Sequence, residues 1–435
     1  MRTTKKITLQ NPAEFKENLL TWAQQFDEFV WLDSNNYPQH YSTYDAVLAA
    51  DGNSDLQCNF HKAFDKFKQY KNKVNDYIFG YLSYDLKNDT ENLTSKNNDG
   101  LHFPDLYFFQ PKKLFLFKND VLEIQYLSEY KDEIDDDLKS IKQIASSRKG
   151  TRNDSVQHDV KIKKRITKKQ YLNQLVKILK HIHRGDIYEV NFCQEFYAED
   201  AVINPLEVYH HLNRISNPPF ASFIKFNQKY IISASPERFV KKEGLKIISQ
   251  PIKGTAKRLA DKEADKKLAA ALANDQKERS ENIMIVDLVR NDLSKTAIKG
   301  SVKVEELCKV YSFDQVHQMI STISAKVDAN TDGIDIIKSL FPMGSMTGAP
   351  KLSAMQIIEN LEASKRGVYS GAIGYFKSNG DFDFNVVIRS ILYNETNNYL
   401  SYSVGGAITS KSNPEKEYEE CLLKAIAMKR ALKTN

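Results

Sequence analysis

Cysteine, glycine and proline are all scarce in this 435-residue chain. Its four cysteines (Cys58, Cys193, Cys308 and Cys421) stand far apart, with no Cys-x-x-Cys pair and no histidine at zinc-finger spacing. A disulfide framework needs denser cysteine and a structural zinc site needs closer clusters, so the thiols read as buried groups in a reducing compartment. The 17 glycines and 12 prolines fall below the usual share of about 12 per cent, which excludes a collagen-like or linker-dominated chain. The basic start Met1-Arg-Thr-Thr-Lys-Lys is followed by no apolar core of roughly 7–15 residues, and no run of about 20 apolar residues occurs anywhere. A cytoplasmic protein with no membrane partner is expected.

What is present is ordinary for a globular chain, with 41% hydrophobic and 27% charged residues. The net charge of +6 is too small to point to nucleic acid. The length allows two modest cores or one large composite one. Residues 1 to about 130 carry aromatic-rich strand patterns (Leu106–Phe109, Leu114–Phe117, Val121–Leu127). Residues 131–169 then turn acidic, polar and finally basic, in Lys161-Ile-Lys-Lys-Arg. Such charge runs read as solvated linker, and the basic one lacks the interleaved aromatics of a nucleic-acid site. The expected division is an N-terminal domain over 1–150, a charged linker over 151–167 and a second domain over 168–435.

Beyond the linker, Tyr171, Leu175, Ile178, Leu179 and Ile182 recur at helical spacing and Gly185 supplies the stop. Strand patterns follow at Ile187–Phe196, Ser222–Phe226, Tyr230–Ser233, Leu245–Ile252, Gly371–Phe376, Asp383–Leu392 and Tyr399–Val404, with helical patterns over 257–290 and 414–433. Strands and helices do not alternate regularly, so an α+β architecture is expected rather than a doubly wound parallel sheet.

Two acidic pairs share one spacing. Glu417 and Glu420, with Lys424 beyond, lie on one face of a helix opened by Asn413 as N-cap and Pro414 in its first turn. Glu278 and Glu281 repeat the pattern. Two such helices can enclose a hard cation such as Mg²⁺, which takes oxygen ligands; equally, each pair can be a solvated face. Three small-residue turns, Pro251-Ile-Lys-Gly-Thr, Gly344-Ser-Met-Thr-Gly-Ala-Pro-Lys351 and Ser403-Val-Gly-Gly-Ala, allow close backbone approach to an anion. None fits a phosphate loop or dinucleotide fingerprint. Arg389 is a candidate bidentate partner for a carboxylate. Lys253, between an apolar strand and a Gly-Thr turn, is either a surface lysine or a desolvated nucleophile.

In their order these segments resemble the chorismate-utilising enzymes. The resemblance runs through Gly185-Asp-Ile-Tyr-Glu-Val-Asn, Ser235-Pro-Glu-Arg, Pro251-Ile-Lys-Gly-Thr and Asp287-Leu-Val-Arg-Asn-Asp292. It continues with Thr347-Gly-Ala-Pro-Lys351, Gly371-Ala-Ile-Gly-Tyr375, Val387-Ile-Arg389 and Glu417-x-x-Glu420-x-x-x-Lys424. It implies a large mixed β-sandwich-like core with flanking helices, as in anthranilate synthase component I. It further implies that Glu281 and Glu420 contact Mg²⁺ with Glu278 and Glu417 beside them. Gly254, Thr255, Tyr375, Arg389, Gly405, Gly406 and Lys424 would line the substrate's carboxylates. Lys253 and Glu278 are the catalytic candidates, and Trp31-Leu-Asp-Ser34 resembles a tryptophan-binding segment of the family.

Two positions choose a branch. Members that add water carry a lysine where this chain has Glu189. Anthranilate synthases read Pro-Ile-Ala-Gly-Thr where this chain has Lys253, the mark of the aminodeoxychorismate synthase component I branch. That branch implies amination of chorismate by ammonia from a glutamine amidotransferase subunit, on the route to 4-aminobenzoate and folate. Neutral Lys253 would form a transient covalent adduct. Anthranilate synthase component I is the alternative. Gln318 stands where the family usually has histidine, with His317 beside it.

Overall fold

A computed structural model describes residues 1–37, 40–147, 160–313 and 316–433. Residues 148–159, which hold most of the expected linker, lie outside that set. Of the remainder, Lys163–Lys164 pairs with the strand Glu189–Ala198.

Among the described residues, twenty strands join one hydrogen-bonded network whose ladders are all antiparallel. They form two layers. One passes from Glu28–Asp33 through Phe220–Phe226, Lys229–Ser235, Ser390–Asn394 and Tyr399–Thr409 to Glu189–Ala198. The other passes from Ile78–Leu82 through Ala372–Phe376, Phe382–Val386, Arg238–Glu243 and Lys246–Gln250 to Val316–Lys326. The 13-residue strand Leu106–Lys118 links the layers. The segments on either side of the expected division therefore share one sheet.

Side chains alternate across a strand, and here both faces are covered. In Phe220–Phe226, Ala221 and Phe223 join the core under the helices, whereas Ile224 and Phe226 join the core between the layers. Tyr230, Ile232 and Ala234 alternate with Ile231 in the same way. The result is an α+β fold with a sandwich-like centre.

The helix Lys168–Arg184 buries Tyr171, Leu175, Ile178 and Ile182, opens with a Thr167–Gln170 capping box and stops at Gly185 with φ 89°. The helical pattern over 257–290 divides in two, Lys262–Asn274 and Gln276–Ser294. Asp275 ends the first and caps the second, accepting from the Glu278 N–H at 2.9 Å. The pattern over Asp383–Leu392 also divides, into Phe382–Val386 and Ser390–Asn394. Arg389 takes φ 52° between them.

Beneath the strand Glu189–Ala198, the buried Arg366 guanidinium donates to both Glu362 carboxylate oxygens at 2.9 and 2.7 Å. It also donates to the Met346 and Asn191 carbonyls at 2.6 and 2.7 Å. Breaking a buried ion pair from one side leaves the other charge stranded. Arg366→Met should therefore cost about 3–5 kcal/mol in chemical denaturation. Adding Glu362→Gln should recover part of that loss.

Candidate active site

The strand Ile252–Lys257 loses register against Val316–Lys326 between Ile252 and Thr255. Lys253 and Gly254 occupy that irregularity, and Gly254 has φ 88°. Bulges of this kind re-aim a side chain. Here the Lys253 Nζ donates to Glu189 Oε1 at 3.0 Å, with side-chain exposures of 11% and 1%. Burial by itself would push the amine's pKa down, but Glu189, Glu281 and Glu237 together carry it above the ordinary lysine value. These carboxylates favour the charged amine, so the free amine that the sequence reading expects would need a proton acceptor within reach.

The two acidic pairs meet beside it. Lys277 Nζ lies 3.8 Å from Glu281 Oε1 and 3.6 Å from Glu417 Oε1, and so bridges the helices Gln276–Ser294 and Pro414–Ala431. A Cβ on Gly254 would sit 3.1 Å from Glu278 Oε2, and one on Gly406 would sit 3.6 and 3.9 Å from Glu417 Oε2 and Glu420 Oε1. Both glycines thus leave room where carboxylates converge. Burial raises the Glu281 pKa to about 7, against the pull of Lys253 and Lys277. Burial also raises Glu278, which Lys277 moderates and Glu420 reinforces. Lys424 pairs with Glu420 at 2.8 Å and donates to the Gly405 carbonyl at 3.0 Å.

Among the described residues no three acidic or imidazole groups are drawn together into a ready metal cage. The residues nevertheless fit a hard cation. Glu281 and Glu417, one from each helix, share one ammonium, and the buried Glu281 Oε1 accepts no hydrogen bond, so an oxygen-seeking cation would meet an unused acceptor there.

Two further carboxylates act on Lys253. Glu189 enters the sequence reading only as a branch marker. Glu237, inside the Ser235-Pro-Glu-Arg motif, is 5% exposed, and burial raises its pKa to about 7 against the pull of Ser345, Lys253 and Arg389. Arg389 faces it in turn: burial pushes the guanidinium down and Glu237 works upward. Thr255 is exposed and pairs across the ladder with Gln318. His317 is held elsewhere, between Ser312 at 2.8 Å and Asp265 at 3.0 Å.

Tyr375 is not brought to this cluster. Its ring stacks on Phe79 and lines a separate, solvent-open cavity with Leu32, Asp33, Ser34, Thr43 and Tyr44. Successive residues of Ala372–Phe376 point to opposite faces, and the Tyr375 position faces that cavity. Trp31 turns its indole inward to the Tyr209 hydroxyl at 3.0 Å.

A family model described as chorismate binding enzyme matches residues 27–430. The chain belongs to the chorismate binding enzyme family. It is 40% identical over 255 residues to aminodeoxychorismate synthase component 1 of Escherichia coli (strain K12), covering 59% of this chain and 56% of that protein. The match thus spans little more than half the length of that relative. It is 32% identical over 371 residues to anthranilate synthase component 1 of Aquifex aeolicus (strain VF5), covering 82% of this chain and 74% of that one. The solved anthranilate synthase component I from Streptococcus pneumoniae TIGR4 superposes with a TM-score of 0.76 at 25% identity, over 90% of this chain and 95% of that one.

In this family member, Lys277 competes for the carboxylates a cation would use. Lys277→Met should tighten Mn²⁺ binding, read by electron paramagnetic resonance, by about tenfold, the effect of removing one nearby positive charge at a partly exposed site. Unchanged affinity would show that the ammonium does not occupy the cation's place.

Proposed function

We propose that this chain aminates chorismate, as the large component of an aminodeoxychorismate synthase. The observation that carries this reading is Lys253, a buried amine held at a strand irregularity against Glu189 and within the field of Glu281 and Glu237. A surface lysine at a turn would have neither the burial nor the carboxylate partners.

Arg389, Lys424 and the Gly405–Gly406 backbone would bind and orient the substrate's carboxylates. Glu281 and Glu420, with Glu278 and Glu417 beside them, would hold Mg²⁺, which when bound would polarise the ring carboxylate and ease loss of the C4 oxygen. Lys253 as a free amine adds to C2, the double bond shifts and the C4 hydroxyl departs. Glu237 retains a proton near neutrality and supplies it to that oxygen, which leaves as water. Ammonia then adds at C4 and the lysine is expelled, giving 4-amino-4-deoxychorismate with its enolpyruvyl group intact.

The chain does not carry the means to release ammonia from glutamine. It lacks a Gly-x-Cys-x-Gly turn. Burial raises the pKa of each of its four thiols, that of Cys193 to about 12, the opposite of an activated thiolate. A glutamine amidotransferase subunit is therefore proposed as partner. Anthranilate synthase is the second reading, favoured by the longer alignment with relatives of that name.

Chorismate, Mg²⁺ and ammonium should yield 4-aminobenzoate only when a lyase that removes pyruvate is added. Direct anthranilate fluorescence without lyase would overturn the assignment in favour of the second reading. The rate should fall about tenfold per pH unit above about 7, because Glu237 acts in its protonated form and loses it as pH rises through that value. Glu237→Gln should remove that limb and lower kcat by about 10²-fold or more.

A further inference from the structure

Glu362 and Glu189 are both buried carboxylates on a lysine or arginine, yet they are satisfied differently. Both oxygens of Glu362 are matched by Arg366, and the Cys193 N–H adds a third bond at 2.9 Å. Glu189 accepts from Lys253 through Oε1 alone, and its Oε2 is buried with no hydrogen-bond partner. A carboxylate kept only for structure is costly in that state, because an unmet buried acceptor carries its full desolvation penalty. The backbone does not let it turn away. Glu189 pairs with Thr409 on one side and Ala349 on the other, and the Tyr188 N–H donates to the Ala349 carbonyl at 2.7 Å.

We propose that Glu189 is the positioning residue for Lys253, holding its ammonium in place and taking its proton as the amine bonds to substrate. This deepens the amination reading and rests on it for the chemical step. The charged groups facing Lys253 are Glu189 from the strand Glu189–Ala198, Glu237 from the turn before Arg238–Glu243 and Glu281 from the helix Gln276–Ser294. Glu278 and Glu420 act on it from further off. Among the described residues Glu189 is the carboxylate in hydrogen-bond contact with its Nζ, and proton transfer requires that reach.

The proton moves from Lys253 Nζ to Glu189, leaving a neutral amine and a neutral acid in place of the ion pair. The freed lone pair forms the N–C2 bond, the ring double bond shifts, and the C4–O bond breaks with Glu237 donating the proton that makes the leaving oxygen water. Ammonia then forms the C4–N bond as the N–C2 bond breaks. The released lysine recovers its proton from Glu189, and the new ammonium of the product gives one to Glu237.

The test is Glu189→Gln, which keeps the shape and removes the proton acceptor. Acetic anhydride labelling of Lys253, followed by peptide mass across pH and without chorismate, should reach its midpoint about one unit or more lower in the variant. Its kcat with ammonium should fall about 10²-fold or more at neutral pH. On the acid side of about pH 7 that kcat should climb about tenfold per unit where wild type is flat, since solvent must now remove the proton; KM for chorismate should change little. An unchanged labelling midpoint, or a kcat profile parallel to wild type, overturns the proposal. Should Glu189→Gln not fold, Glu189→Asp carries the same comparison, with a smaller downward shift in midpoint expected and no shift contradicting it. A wild-type protein that does not aminate chorismate sinks the amination reading, while the labelling still decides whether Glu189 keeps the proton on Lys253.

Discussion

An ammonium with 11% of its side chain exposed can stay charged only if anions replace the water it has lost. Around Lys253 those anions come from three separate places in the fold: the strand Glu189–Ala198, the turn at Glu237 and the helix Gln276–Ser294. Each is fixed by a different ladder or cap, so the site depends on register. A slip of one residue in Ile252–Lys257 would turn Lys253 to the opposite face. The irregularity at Lys253–Gly254, with a positive φ at glycine, is what aims the amine at Glu189.

The acidic helices add a second charge balance to the first. Glu281 belongs to both: it helps keep the proton on Lys253, and it forms one end of the bridge through Lys277 to Glu417. Any cation that takes up the Glu281 carboxylate weakens the field holding the Lys253 proton. A cation bound there and the amine would therefore be coupled through one side chain. Glu417, Glu420 and Lys424 lie beside Gly406, and Lys424 donates to the Gly405 carbonyl.

Local features of this arrangement were legible in the sequence. Asn413 and Pro414 mark the start of the last helix, and the three-residue spacing places Glu417 and Glu420 on one face of it. Gly185 stops the helix Lys168–Arg184 as its position predicts. Features that depend on distant contacts were not. The Lys253–Glu189 pair joins residues 64 apart in sequence, and nothing local marks Glu189 as an acceptor. The apolar run Asp383–Leu392 hides the break at Arg389, because a left-handed residue other than glycine or asparagine leaves no compositional trace. The single strand Leu106–Lys118 looks like two because Pro111 interrupts it. It continues because the register shift between Gly52 and Ser54 on the neighbouring strand falls at that proline. Tyr375 was expected at the substrate from its motif, whereas strand alternation gives it to the cavity beside Leu32–Ser34.

The bond between Lys253 and substrate can be looked for directly. Wild-type protein mixed with chorismate and Mg²⁺ in the absence of ammonia, quenched within milliseconds and digested, should yield the peptide carrying Lys253 with the added mass of chorismate less one water. Amination that proceeds at full rate while that peptide stays unmodified at every quench time would contradict a nucleophilic lysine.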